Sequence, residues 1–422
     1  MNEHLLQYIW QHLYFNKEEL LTVQNETLQI IFQGSRNTNQ GPDFLEAKVN
    51  INAVTWVGNI ELHIKTSDWI KHGHTGDMHY NNVVLHVVYE NDLAIDNNLP
   101  VLELKNRISK NLLGYYKQLM EQNSFVPCSN QLQQVNELVW QSWKERMIAE
   151  RLQQKSNLIQ QLLQQSNRHW EETFWQLVAR NFGAPLNADA FELVAKTLPV
   201  TLLAKHKNQI HQLEALLLGQ AGLLNTDFSE DYPVMLQKEY RFLQTKHKLQ
   251  PITRPLQFLR MRPSNFPTVR LAQLAMLIQQ SSHLFSKVIN ARTIEQLRSM
   301  FTVTANDFWH YHYTLNEAGS FRKKNVGDVM VNNLLINTVI PLLFVYAQEQ
   351  HNRALKEKVL QWLQQLPKEK NSITAKWEAV DVVHQSAFDS QVLLFLKKNY
   401  CDAKHCLQCA IGNSLLKKQL TS

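Results

Sequence analysis

Asp43, Glu61, His63 and Lys65 are the residues from which a chemistry for this chain can be argued. They lie in 41–91 (GPDFLEAKVNINAVTWVGNIELHIKTSDWIKHGHTGDMHYNNVVLHVVYEN), together with Glu46, His72, His74, Asp77, His79 and His86. Two carboxylates brought together can hold a hard divalent cation, magnesium or manganese, which polarises a phosphate and generates hydroxide from bound water. A basic group beside them would position that water or offset charge that develops during reaction. Imidazoles suit transition metals and act as general bases near neutral pH. So many titratable groups in one short stretch mark it as a candidate site. The plainer alternative is a hairpin whose polar outer face binds nothing, with His86 a hydrogen-bonded core residue.

A second constellation uses every cysteine in the chain. Cys401, Cys406 and Cys409 read C-x4-C-x2-C, and Cys128 stands far upstream. Two thiolates spaced C-x2-C can grip one metal, and the other two complete a four-ligand set for zinc or an iron–sulfur cluster. The alternative is a group of reduced, partly buried thiols. If the site exists, the C-terminus must fold back onto the segment around Cys128. Arg260, Arg262 and Arg270, interleaved with Phe258 and Phe266, offer cations and aromatic platforms for a phosphate backbone; arginines beside prolines also anchor loop carbonyls. Trp309–Tyr313 (WHYHY) reads as core, and Glu103 with Lys105 as surface.

The elements that must position these groups follow from periodicity. Residues 1–15 (MNEHLLQYIWQHLYF) space their apolar side chains as an amphipathic helix does. Residues 27–34, 44–52 and 55–66 read as strands, the second placing Leu45, Ala47, Val49 and Ile51 at period-2 positions. The third puts Trp56, Ile60, Leu62 and Ile64 on one face and Glu61, His63 and Lys65 on the other. Ser67 or Asp68 caps a short helix or loop reaching Tyr80. NVVLHVVY (82–89) is a strand covered on both sides, and 99–104 adds another after the turn DNNLP. If the strands at 44–52 and 55–66 form a hairpin, Asp43 and Glu61 meet at one end of the sheet.

Beyond residue 105 helical spacing dominates, through 106–123, 135–165 and 170–182, with glutamine-rich solvated faces. The fold class is α+β: a small α/β domain at 1–123, then a large all-α region at 124–422 carrying the C-terminal cysteines, as one domain or two. With 422 residues, 44% hydrophobic and 19% charged, the chain can bury a sizeable core, which excludes wholesale disorder. A net charge of +6 is compatible with a polyanionic partner without requiring one. The N-terminus lacks the basic flank and cleavage site of a signal peptide. The apolar run 330–347 is broken by Asn332, Asn333, Asn337 and Pro341 and reads as a buried helix, not a membrane span. The expectation is a cytoplasmic protein with reduced thiols.

The Pro42-Asp43 and Glu61-Leu62-His63 pairing resembles the PD-(D/E)XK nuclease superfamily, whose core is a helix, three antiparallel strands, a helix and a further strand. That likeness implies metal ligation by Asp43 and Glu61. His63 departs from it by replacing the usual lysine; Lys65 is the nearest substitute, and Glu46 stands in for an earlier helical acid. End to end, the motifs GPDFLEAKV, GNIELHIKTSDWIKHGH, VVLHVVY, EALLLGQAGLL, RMRPSNFPTVRLAQLA and YCDAKHCLQCAIG resemble an uncharacterised bacterial family known only as a domain of unknown function. The expectation is therefore a metal-dependent phosphodiesterase or nuclease acting on DNA or RNA. The alternative is a non-catalytic scaffold, binding nucleic acid or protein, that retains a nuclease-like core.

Overall fold

The computed structural model describes residues 1–95, 98–281 and 283–420, so the expected DNNLP turn begins outside the described residues. The chain divides into two compact units. The first comprises 1–145, 375–382 and 394–422; the second comprises 146–374 and 383–393.

The first unit opens with helix α1 (Glu3–Gln11), whose free N-terminus is capped where the Asn2 side chain accepts the Leu5 N–H at 2.9 Å. Leu5, Leu6, Ile9 and Trp10 are buried, while Glu3 and Gln7, one turn apart, share a more polar face. The strands are β1 (Leu28–Phe32), β2 (Ser35–Arg36), β3 (Phe44–Ile51), β4 (Val54–Lys65), β5 (Val83–Glu90) and β6 (Val101–Glu103). They form one mixed sheet in the order β1-β3-β4-β5-β6, with β2 also paired to β3. β1, β2 and β4 run antiparallel to β3, whereas β5 is parallel to β4 and β6 to β5. The β4–β5 crossover holds helix α2 (Asp68–Lys71) and a tight turn at Met78–Tyr80. Helix α3 (Lys110–Glu121) follows the sheet.

The polar segment 35–40 (SRNTNQ) opens with the short strand β2. One local expectation is corrected. In β3 the alternation breaks: Phe44 is buried and Leu45 is 36% exposed. The β3–β4 register slips between Phe44 and Ala47, and Glu46 adopts a positive φ of 57°. An extra residue in one strand reverses the facing of everything on one side of it. Ala47, Val49 and Ile51 remain inside.

The second unit is built of helices, among them most of α4 (Glu137–Gln165), then α5 (Trp170–Phe182), α6 (Ala188–Thr197), α7 (Val200–His206), α8 (Ile210–Gln220), α9 (Asp231–His247) and α10 (Pro267–Gln280). The two glycines of the GQAGLL stretch have different jobs. Gly219 lies where any Cβ would run into the Tyr240 ring of α9, and Gly222 turns the chain beyond α8 with φ of 74°. The apolar helix at 328–349 is long enough to cross a membrane, yet 67% of its most apolar window is buried inside the fold. It widens by one turn at Leu335–Val339, just before Pro341, whose ring nitrogen has no hydrogen to donate.

Candidate metal centre

Asp43 stands one step beyond the Phe44–Ile60 pair, which puts it opposite Glu61. The two residues lock together reciprocally. The Asp43 backbone N–H donates to Glu61 Oε2 at 3.0 Å, and the Leu62 N–H donates to Asp43 Oδ2 at 3.1 Å. Gln7 of α1 donates to the other Asp43 oxygen at 2.7 Å. Glu61 therefore keeps one oxygen, Oε1, turned toward imidazoles: His74 Nε2 at 3.4 Å and His63 Nε2 at 3.6 Å.

The histidines arrive from three elements. His63 is on β4, His72 ends α2, His74 lies in the following loop, and His86 is on β5 beside Glu61 in the parallel register. His63 Nδ1 is 2.9 Å from His86 Nε2, and His63 Nε2 is 3.1 Å from His72 Nδ1. One ring nitrogen from each of His63, His72 and His74 falls within 4.8 Å of the others, close enough to share one metal ion. The His74 ring stacks on Tyr80 at 3.8 Å, and Trp69 closes in on His86 at 5.1 Å. His63 and His86 are each 1% exposed, whereas His72 opens to solvent.

Burial governs the electrostatics. It raises both carboxyl pKa values well above the ordinary range, and each carboxylate's proximity to other acids adds to the rise: Asp43 acts on Glu61, and Glu3 acts on both. Burial, reinforced by the neighbouring imidazoles, lowers His63 to about 3 and His86 to about 4. These rings are thus neutral at physiological pH, the form in which imidazole binds metal. His86 Nδ1 is buried without a hydrogen-bond partner.

Other candidate residues are placed elsewhere. Lys65 is exposed at the end of β4, with its ammonium 3.9 Å from Asp92. Glu46 is exposed in the bulge, where its N–H donates to Asn59 Oδ1. Asp77 accepts the His79 N–H at 2.9 Å and so shapes the turn before Tyr80. Glu3 and Gln7 were absent from the sequence reading; their signal was a polar i, i+4 pair on an otherwise apolar helix. Arg260 and Arg262 are exposed, but Arg270 is anchored by Gln273 at 2.8 Å and Asn265 at 2.6 Å. Trp309 is fully buried and donates its indole N–H to Glu214 at 3.0 Å, as the core reading expects.

No curated protein and no solved structure matches the chain. A family model does match, over residues 3–372, which takes in the whole sheet, the carboxylate pair and the histidines. The chain therefore belongs to the family described as a protein of unknown function (DUF2851).

Proposed function

We propose that the first unit is a metal-dependent phosphodiesterase acting on nucleic acid, with a core of the PD-(D/E)XK kind. The observation that carries this reading is the interlocked Asp43–Glu61 pair facing three imidazole nitrogens within one ion's reach. The order of helix, antiparallel strands, short helix and parallel strand supports it. Two buried carboxylates repel each other unless a proton or a cation intervenes, and a divalent ion would relieve both. The Glu61 Oε1 atom with His63, His72 and His74 would hold it, and Asp43 and Glu3 would add negative field. Three imidazoles and one carboxylate suit a transition metal better than magnesium, with manganese the weakest-held of the series. Bound there, the ion would polarise a phosphodiester oxygen and lower the pKa of a water.

The chain's own residues prepare that chemistry. His86 fixes the His63 ring through the 2.9 Å contact, as second-shell partners of ligating histidines do. Tyr80 and Trp69 wall the inner side, leaving access from His72. Arg260 and Arg262 offer exposed cations for a phosphate backbone. A scaffold role is the second reading, favoured by one feature: His63 occupies the usual lysine place while Lys65 pairs with Asp92.

The test is manganese titration by calorimetry on the intact chain, on Asp43→Ala and on Glu61→Gln, with labelled DNA and RNA cleavage measured alongside. The expected result is binding and cleavage in the parent, and at least a hundredfold weaker binding in both variants. Unchanged affinity in both would sink the reading. Metal binding without cleavage of either nucleic acid would leave the scaffold.

A further inference from the structure

We propose that Cys128, Cys401, Cys406 and Cys409 ligate a second metal centre, thiophilic in character and built from none of the residues of the histidine–carboxylate site. All four thiols are free, all lie in the first unit, and all are buried or partly buried. Cys128 precedes the turn Ser129–Gln134, and Cys401 closes the wide helical turn Lys397–Cys401. Cys406 begins the turn Cys406–Gln408, and Cys409 stands just before the helix Ala410–Lys418. The fold brings these together from distant parts of the chain. Cys401 is near enough to interact electrostatically with each of the other three, and Cys128 with Cys406 and Cys409.

Burial pushes all four thiols up, so without a metal they stay protonated. Against that, backbone N–H groups of Gly412 and Ile411, in the first turn of the terminal helix, and the Trp143 indole N–H act on the Cys409 sulfur to favour its charged form. Donors to sulfur stabilise a thiolate or a metal-bound thiolate over a thiol. Gly412 permits this approach: a Cβ there would strike the Cys406 backbone carbonyl, so only glycine lets the helix start sit against the C-x2-C turn. Lys397 and Lys404 place positive charge toward Cys401 and Cys406.

The segment is also held without any metal. The Lys404 ammonium reaches the Met120 carbonyl at the end of α3, and Lys418 reaches the Gln134 carbonyl. Tyr400 packs edge-on against Trp143 at 5.3 Å. These contacts hold the segments that carry the ligands, although the sulfurs themselves must still close in on a single ion. Among the described residues the trio of donors mutually within 4.8 Å is the histidine one, so no three of the four sulfurs are all that close to one another. They would draw inward around one zinc ion or seat an iron–sulfur cluster between them. Zinc would take four thiolates and release four protons, leaving a net charge of about −2; Lys404 lies toward it, while the charge of Lys397 is shared with Asp402. A cluster would need iron and inorganic sulfide supplied from outside.

The test is elemental analysis, acid-labile sulfide assay and visible spectroscopy on the full chain purified without oxygen. The parent, Cys128→Ser, Cys406→Ser and His72→Ala are compared, with circular dichroism to report folding. The expected result is about one zinc, or iron with matching sulfide and visible absorbance, per chain. That equivalent is lost in both cysteine variants and persists in His72→Ala, which removes only metal held by the histidine site. On the parent itself, a thiol-specific mercurial should release the metal in step with four titrated thiols, a result that does not depend on any variant folding. Metal content in both cysteine variants equal to the parent's, or none in the parent even after anaerobic reconstitution, overturns the proposal. No step of this test relies on cleavage activity.

Discussion

Glu61 in the first unit and Glu214 in the second are both buried glutamates whose carboxyls burial pushes upward, yet their surroundings differ in kind. Glu214, on α8, is fully enclosed and fully answered. Its Oε2 accepts from the Tyr232 hydroxyl at 2.9 Å and the Trp309 indole at 3.0 Å, and its Oε1 accepts from the Asn306 amide at 2.5 Å. Glu61 spends one oxygen on the Asp43 N–H and presents the other to imidazoles, with a second carboxylate alongside. A buried acid with every lone pair engaged by neutral donors is a structural joint. One with a second acid beside it and an oxygen facing only imidazoles is where the proposed cation would sit.

Substitution should separate the two most strongly. Glu214→Ala leaves a tyrosine hydroxyl, an indole N–H and an amide without their acceptor, and we expect a loss of about 3–5 kcal/mol in urea unfolding. Glu61→Gln keeps an acceptor for the Asp43 N–H and removes the repulsion, so stability without metal should change by less than about 1 kcal/mol or rise. A Glu61→Gln variant as unstable as Glu214→Ala would erase the distinction.

The pH dependence gives the next contrast. Glu214 is raised to about 8 in the folded chain, above its unfolded value of about 4.3. A raised acid contributes stability that is complete below the unfolded value and is lost as pH climbs through the folded one. The Glu61–Asp43 pair is raised too and acts in the same direction. Between about pH 4.3 and 6.5 the lowered His63 and His86 act the other way, gaining stability as pH rises. Metal-free protein should therefore lose stability chiefly from about pH 6.5 toward pH 8, at up to about 1.4 kcal/mol per pH unit for each acid still titrating. Saturating manganese should remove the share owed to Glu61 and Asp43, since the ion replaces their protons, and leave the Glu214 share untouched. Chemical denaturation across pH, with and without manganese, measures both. A slope indifferent to manganese would count against a cation at Glu61.

The same comparison shows what the sequence could tell. That Asp43 and Glu61 lie at the same end of a hairpin was legible, and so was α5 to its end residues. The register was not, because an unbroken hairpin would pair Asp43 with Leu62 and the extra residue at Glu46 brings it opposite Glu61. Three further things were not. The bulge at Glu46 depends on a backbone conformation that no side-chain pattern announces, so Leu45 was placed on the wrong face. The Glu61–His63 face reads from sequence as a candidate cation site or, alternatively, a hairpin's outer side; that the loop carrying His72 and His74 folds over it is a tertiary event with no local signal. Glu3 and Gln7 join the site only because α1 packs on β4, which spacing within a helix does not encode.

The arginines repeat the distinction at smaller scale, and they test the nucleic-acid side of the proposal. Arg270 is engaged by Gln273 and Asn265 as Glu214 is by its partners, while Arg260 and Arg262 are exposed as a phosphate-binding surface requires. Arg270→Ala should cost about 1 kcal/mol of stability, from the lost bonds and the packing of its stem. The double change of Arg260 and Arg262 to Ala should leave unfolding unaltered. It should weaken single-stranded DNA or RNA binding and flatten the salt dependence by about 1–2 in slope, one for each phosphate contact removed. Fluorescence anisotropy over a salt series reads this directly. An unchanged slope would remove these two residues from the interface while leaving the metal site intact, because a phosphate contact that releases no counterion has not been made.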